Sequence, residues 1–194
     1  VPEPIARPTT LQDVVIIEPS PVRDERGFFV RTMSSDVLAS AGIDSTAFVQ
    51  ENQSRSGRGT LRGLHTRKAL SESKMIRCAR GGIFEVVVDL RPWSATFEQW
   101  ESFQLDDVDH HHLFVPAGCA HGFQALTDEV DVCYKHDARY DPSLDAAIAW
   151  NDSDLGIPWP ISDPVLSQRD REAPTLAEVR PELPRWFGRE APVA

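Results

Sequence analysis

The sequence predicts an all-β domain, a sandwich or barrel with few helices. Three observations point there. Short runs rich in β-branched and aromatic residues recur along most of the chain, turn-forming residues separate most of them, and helical patterning is confined to two brief stretches. Many short strands with frequent turns favour a sandwich or barrel over strands alternating with helices around a parallel sheet.

The first strands are read at Val14–Ile17 and Phe28–Met33. Ser35 is placed to cap a short helix over Asp36–Ala41, and Gly42 to end it. Strands follow at Phe48–Ser54, Thr60–Thr66, Lys74–Ala79 and Ile83–Leu90, and Arg80-Gly81-Gly82 fits a tight hairpin between the last two. Phe97–Leu105, His112–Val115, His121–Leu126, Val130–His136 and Ile148–Trp150 complete the set. Arg91 to Ser94, Pro116 to Gly118 and Asp141-Pro142 mark further reversals. A second helix is expected through Thr175–Val179, after Pro174 and before Pro181. The Pro-bearing ends, Val1–Pro8 and Pro181–Ala194, read as tails, mobile or draped on a partner.

The 194 residues, 41% of them hydrophobic, suffice for one sizeable core and one domain. A formal net charge of -10 disfavours nonspecific attraction to nucleic acid or to an anionic membrane, so a small anionic substrate needs a local cluster of Arg, Lys and His. No apolar run approaches the roughly 20 residues of a membrane helix, and Val1 to Leu11 lacks the order of a signal peptide; a soluble, cytoplasmic protein is expected. Cys78, Cys119 and Cys133 are odd in number, lack CxxC spacing and sit among apolar strand residues, which reads as reduced structural thiols.

Against this background, polar residues inside strand-like stretches stand out: Arg62 and His65 in LRGLH, Lys74 in KMIRC, His121 in AGCAHGF and Tyr134 in VCYKH. Several such side chains, each stretch contributing to a separate strand, suggest one lined cavity. Taken singly, His65 reads as a hydrogen-bonded core histidine, and Tyr134 as an ordinary strand tyrosine. A carboxylate that fixes its tautomer makes a neutral imidazole a competent proton acceptor. Asp170, in LSQRDREAPTLAE, is a candidate for that partner, although nothing local pairs the two. Tyr134, with an ordinary pKa of about 10, suits a proton donor. Lys74 and Arg62 lie on neighbouring strand-like stretches, as enolate or phosphate ligands or as an exposed barrel rim.

A metal reading has little support. His110-His111-His112 is read as a loop and strand start, because consecutive strand residues point to opposite faces. The dinucleotide GxGxxG turn, the GxxxxGK[ST] loop and the GxSxG elbow are missing, and the chemistry is expected to need no cofactor.

Motifs in a fixed order carry a resemblance beyond these patterns. DERGFF, VQENQS, LRGLH, KMIRC, VVVDLR, FVPAGCAHGF, YKHDARYDP, WNDSDLGIPWP and LSQRDREAPTLAE follow one another between Asp24 and Glu178. Together they resemble the dTDP-4-dehydrorhamnose 3,5-epimerase family of cupin sugar-nucleotide epimerases. The resemblance implies a cupin-type antiparallel β jelly roll or barrel with a few short peripheral helices. It spans about residues 14–178 as the core of a single domain over residues 1–194, with tails at both ends. It also implies that His65 removes a proton beside the C4 ketone of the sugar, Asp170 orients His65, Tyr134 returns a proton from the opposite face and Lys74 stabilises the C4 oxygen. Arg62 and His121 match positions near the substrate phosphates, and Arg26, Phe29, Gln50, Asn52 and Tyr140 match nucleotide-side or cleft positions. A homodimer with exchanged N-terminal strands is implied, Arg26 and Phe29 serving the neighbouring subunit's cleft.

The implied activity is cofactor-independent inversion at C3 and C5 of a nucleotide-linked 4-keto-6-deoxy sugar, dTDP-4-keto-6-deoxyglucose going to dTDP-4-keto-L-rhamnose. Two departures bear on it. The stretch TRKALSES between His65 and Lys74 is one residue shorter than the usual loop and lacks its Pro or Gly character, and Arg31 stands where many members carry Glu. These leave open inversion at C3 alone and another nucleotide or sugar. A metal-dependent cupin enzyme and a noncatalytic sugar-nucleotide binder are the readings from other classes.

Overall fold

The computed structural model describes residues 2–188. In chain order its strands are β1 Ile5–Pro8, β2 Val15–Glu18, β3 Val22–Asp24, β4 Gly27–Phe29, β5 Gln50–Ser56, β6 Leu61–Arg67, β7 Lys74–Arg80, β8 Gly82–Asp89, β9 Trp100–Asp106, β10 His112–Val115, β11 Cys119–Ala125, β12 Val130–His136 and β13 Asp145–Ala147. The helices are α1 Ser35–Ser40, α2 Gln168–Arg171, α3 Leu176–Val179 and α4 Leu183–Phe187. A six-stranded sheet in the order β1-β2-β10-β7-β12-β5 faces a five-stranded one in the order β13-β6-β11-β8-β9, and β3 and β4 form a separate ribbon. All named strand pairs are antiparallel. From β5 to β13 the chain changes sheet at each connection except β8–β9, which is jelly-roll winding.

That winding corrects one expectation. Arg80-Gly81-Gly82 makes no hairpin: β7 lies between β10 and β12, whereas β8 lies between β11 and β9. The turn carries the chain from one sheet to the other. Gly81 has φ 74°, and a Cβ there would meet the Glu129 carbonyl oxygen at 2.4 Å. The turn needs glycine, but for a corner rather than a hairpin.

Other boundaries moved for local reasons. Of Phe28–Met33, Gly27–Phe29 pairs, with β3. The last strand is Asp145–Ala147 rather than Ile148–Trp150; it pairs with Thr66 and its neighbours, and Ile148 continues that edge by exchanging backbone hydrogen bonds with Leu64. Ser34, one residue early, holds the N-cap position of α1 without a side-chain capping hydrogen bond, whereas Thr175 caps α3 through a reciprocal hydrogen-bonded box with Glu178. Neither Pro-bearing end is wholly loose. Ile5–Pro8 pairs with β2, and Leu183 and Phe187 of α4 are buried against the five-stranded sheet; residues 189–194 lie outside the described residues.

The core has three parts. Between the sheets, Ile76, Cys78, Ile83, Val87, Leu105, Leu113, Phe123, Val130 and Val132 pack together. The outer face of the five-stranded sheet, with Val86, Val88 and Ala120, is covered by Leu155, Leu176, Val179 and α4. The outer face of β2 and β7 is covered by Leu38 and Ile43. With both faces of the five-stranded sheet occupied, the long apolar run of β8 is accounted for.

Candidate active site

The space between the sheets changes character along the strands. Read toward one end of the sandwich, the inward row of β12 goes from Val130 and Val132 to Tyr134 and His136, and that of β7 from Cys78 and Ile76 to Lys74. On the facing sheet, β6 contributes Arg62 and His65, and β11 contributes His121 beyond Phe123. A cavity of about 300 Å³ results, to which β5 adds Asn52, Gln53 and Ser54. The five polar residues singled out in the sequence thus line one cavity. Arg62 and Lys74 belong to strands of opposite sheets rather than neighbouring ones.

His65 and Asp170 meet although no local pattern links them. A short parallel bridge between Thr60 and Val165 lays the late segment beside β6, and Ser167 caps α2, so that Asp170 projects onto His65. Asp170 Oδ1 lies 2.6 Å from His65 Nε2; the carboxylate is 4% exposed and the imidazole 28%. Burial works against ionisation of Asp170, but the hydrogen bonds to His65 and Ser167 hold it below the usual carboxylate range. An ionised carboxylate only accepts, so the shared proton sits on His65 Nε2 and leaves Nδ1 with a free lone pair.

Tyr134 faces His65 from the other sheet. Its hydroxyl lies 3.2 Å from Ser54 Oγ, and burial pushes the phenol well above its ordinary value, more than the Ser54 contact lowers it. The group therefore stays protonated across the physiological range and suits proton donation.

Lys74 forms the floor. Nζ donates to His121 Nε2 at 3.1 Å and lies 3.4 Å from Glu72 Oε2. His121 Nδ1 is 2.8 Å from Glu85 Oε1, and both of these side chains are almost fully buried. Burial drives both toward their neutral forms, raising Glu85 and lowering His121, the latter helped by the Lys74 charge. Both ring nitrogens of His121 are thus engaged from below.

The remaining expected residues sit apart from this centre. Arg62 is exposed at the cavity mouth, its Nε donating to Ser56 Oγ at 3.1 Å. Asn52 lines the cavity and contacts His136 at 3.2 Å. Gln50 accepts from the Tyr140 backbone N–H at 3.1 Å, and the Tyr140 ring, 62% exposed, lies over Arg67 on the rim. Arg26 and Phe29 are not brought to this cavity: they lie on the exposed β3–β4 ribbon, where Arg26 pairs with Asp24. Arg31 forms an ion pair with Glu3 of its own chain.

The residues that sequence reasoning missed are Ser54, Glu72, Glu85 and His136. Glu85 carried a signal, a lone carboxylate inside the run IFEVVVDL. Among the described residues no three His, Cys, Asp or Glu side chains are grouped to hold a metal ion.

A base on one sheet, a proton donor on the other and a buried cation between them suit removal of a proton beside a carbonyl and its return to the opposite face. That is isomerase chemistry, and the fold is the cupin-like jelly roll of a class of epimerases. The model of the dTDP-4-dehydrorhamnose 3,5-epimerase family matches residues 8–178. A dTDP-4-dehydrorhamnose 3,5-epimerase of Methanothermobacter thermautotrophicus is 42% identical over 88% of this chain and 93% of its own. A dTDP-4-dehydrorhamnose 3-epimerase of Streptomyces niveus is 38% identical over 90% and 84%. The crystal structure of NovW, a 4-keto-6-deoxy sugar epimerase of Streptomyces spheroides, superposes with a TM-score of 0.89 at 36% identity, covering 93% and 91%. The chain belongs to the dTDP-4-dehydrorhamnose 3,5-epimerase family.

Proposed function

We propose that the protein epimerises dTDP-4-keto-6-deoxyglucose at C3 and C5 to dTDP-4-keto-L-rhamnose. The observation that carries this reading is the placement of His65, with its Asp170 partner, opposite Tyr134 across the cavity floored by Lys74. His65 Nδ1 takes the proton from C3. The C–H electron pair moves into the C3–C4 bond as the carbonyl pair moves onto the C4 oxygen, where the Lys74 ammonium meets the charge. An oriented cation at such an oxyanion contributes about 10²–10³ in rate. Collapse of the enolate takes a proton from Tyr134 on the opposite face and inverts the carbon. Proton exchange with solvent then frees His65 Nδ1 and reprotonates Tyr134, and because C5 is also adjacent to C4 the same groups serve it. Oxidation state is conserved throughout, so no electron acceptor enters.

Arg62, beside His121, meets the diphosphate at the mouth, while Gln50, Asn52 and Tyr140 border the nucleotide side. Arg26 and Phe29 act in the cleft of a second subunit, in a homodimer that exchanges its N-terminal strands. Their exposed ribbon, with Phe28 53% and Phe29 66% exposed, supports this. No helix among the described residues is long and apolar enough to cross a membrane, which fits the cytoplasmic location we infer.

Inversion at C3 alone is the second reading, favoured by the similarity to the Streptomyces niveus 3-epimerase. Incubation with dTDP-4-keto-6-deoxyglucose in D2O, followed by NMR, tests both. Deuterium at C3 and C5 is expected; at C3 alone it establishes the second reading, and at neither carbon it rejects this substrate.

A further inference from the structure

Lys74 must be charged to stabilise an enolate, yet its surroundings oppose the charge. Its side chain is only 13% exposed, and burial lowers its affinity for the proton. His121 does not offset this, because a neutral imidazole accepts a hydrogen bond without supplying charge. Glu85 stands behind that imidazole, fully buried and pushed toward its neutral form.

Glu72 differs. Its carboxyl is 6% exposed, but burial is outweighed by His136, Lys74 and Arg67, which hold its pKa down to about 2. Oε1 accepts from Arg67 Nη1 at 2.9 Å, and His136 Nδ1 lies 3.1 Å from the same oxygen without hydrogen-bond geometry. Oε2 is turned to Lys74 Nζ at 3.4 Å. The other charged or titratable groups near the ammonium are Asp145 of β13, Arg67 and His65 of β6, and His136 of β12. Glu72 is the ionised carboxylate nearest it. The loop between β6 and β7 is shaped to deliver it. Ala69 and Leu70 take positive φ values of 65° and 49°, and the Ser73 N–H donates to Asp137 Oδ1 at 2.6 Å.

We propose that Glu72 is a positioning residue for the reaction: it keeps Lys74 protonated and aimed at the C4 oxygen. Arg67 offsets part of the carboxylate charge from Oε1, while Oε2 keeps its direct ionic contact with Lys74. The long contact on Oε2 leaves Lys74 a donor for the substrate. The shortened stretch after His65 thereby becomes part of the machinery that handles the enolate.

The catalytic consequence rests on the epimerase reading, whereas the ionisation of Lys74 is measurable without substrate. The chain has three lysines, Lys68, Lys74 and Lys135, so the titration of each side chain is followed by NMR of protein labelled with 13C at lysine Cε. Lys74→Arg assigns the signal. In Glu72→Gln the Lys74 midpoint should fall by about one pH unit or more, and in Glu72→Asp by less. The alkaline limb of kcat for deuterium incorporation should move down equally, with KM nearly unchanged. A merely structural Glu72 would lower the melting temperature and leave the Lys74 midpoint in place; that result in either folded variant overturns the proposal. Absence of exchange in the wild-type protein rejects this substrate instead, and the Lys74 titration still decides the role of Glu72.

Discussion

Asp170 and His65 lie 105 positions apart in sequence and 2.6 Å apart in space, joined through Oδ1 and Nε2. The carboxylate fixes which imidazole nitrogen is free and stabilises the imidazolium formed on proton abstraction. Asp170→Asn offers an amide that can present its N–H to Nε2 and turn the tautomer around. Deuterium exchange into the substrate should fall about 10²–10⁴-fold, with circular dichroism unchanged. Exchange at the wild-type rate would remove Asp170 from the role of orienting His65.

Tyr134 stands on the return side of the reaction. Tyr134→Phe leaves proton removal by His65 intact and removes the donor. Deuterium should still appear at C3, while inversion falls about 10²-fold or more relative to exchange. NMR coupling constants of the product distinguish the two. Equal loss of exchange and inversion would assign Tyr134 to another step.

The VVVDLR motif serves stability rather than catalysis. Asp89, 0% exposed, accepts from Arg91 Nε and Nη2, each at 2.9 Å, and from Thr96 Oγ1 at 2.7 Å. Burial opposes its ionisation, but Arg91, Ser94 and Thr96 hold it below its ordinary 3.8. A lowered folded value means the contribution is complete above the unfolded pKa and is lost as pH falls through the folded one. Asp89→Asn should cost roughly 3–5 kcal/mol near neutral pH in urea unfolding, with the difference from wild type shrinking as pH falls below the ordinary carboxylate pKa.

Gly63 and Gly122 allow β6 and β11 to approach closely beside His65. A Cβ on Gly63, whose φ is 143°, would sit 2.5 Å from Gly122 Cα. Gly63→Ala should destabilise the fold by about 1–3 kcal/mol and displace His65 from Asp170. Thermal melting and the exchange assay together check this; a variant with normal stability and rate would show that the approach has slack.

Much of the fold was legible because residue type reflects local environment. His112–Val115 and Val130–His136 were read with the observed boundaries, since β-branched and aromatic residues there end abruptly at turn chemistry. The Arg80–Gly82 corner was misread because a glycine turn says nothing about which sheet the next strand joins. β1 and β3 escaped notice because Pro8, Arg23 and Asp24 are poor strand formers held by pairing with a neighbour. At the site, Arg62, His65, Lys74, His121 and Tyr134 showed themselves as polar residues in strands. The Asp170 pairing had to come from family resemblance, because it depends on the fold returning residues 165–170 to β6. Glu72 was hidden in a polar loop, where a carboxylate is ordinary until Arg67, Lys74 and His136 are seen around it.

His65 belongs to one sheet and Tyr134 to the other. Stacked sheets keep a spacing of about 10 Å, set by how their side chains interlock. The distance between the proton's exit and entry is thus governed by the same packing that holds the hydrophobic interior. Handedness of the product becomes a property of the layers: a ring lying flat between them has one face toward each sheet. Cavity-creating changes at Leu105 or Val130, buried between the sheets and outside the cavity lining, would let the layers drift and show up first as lost stereochemical fidelity.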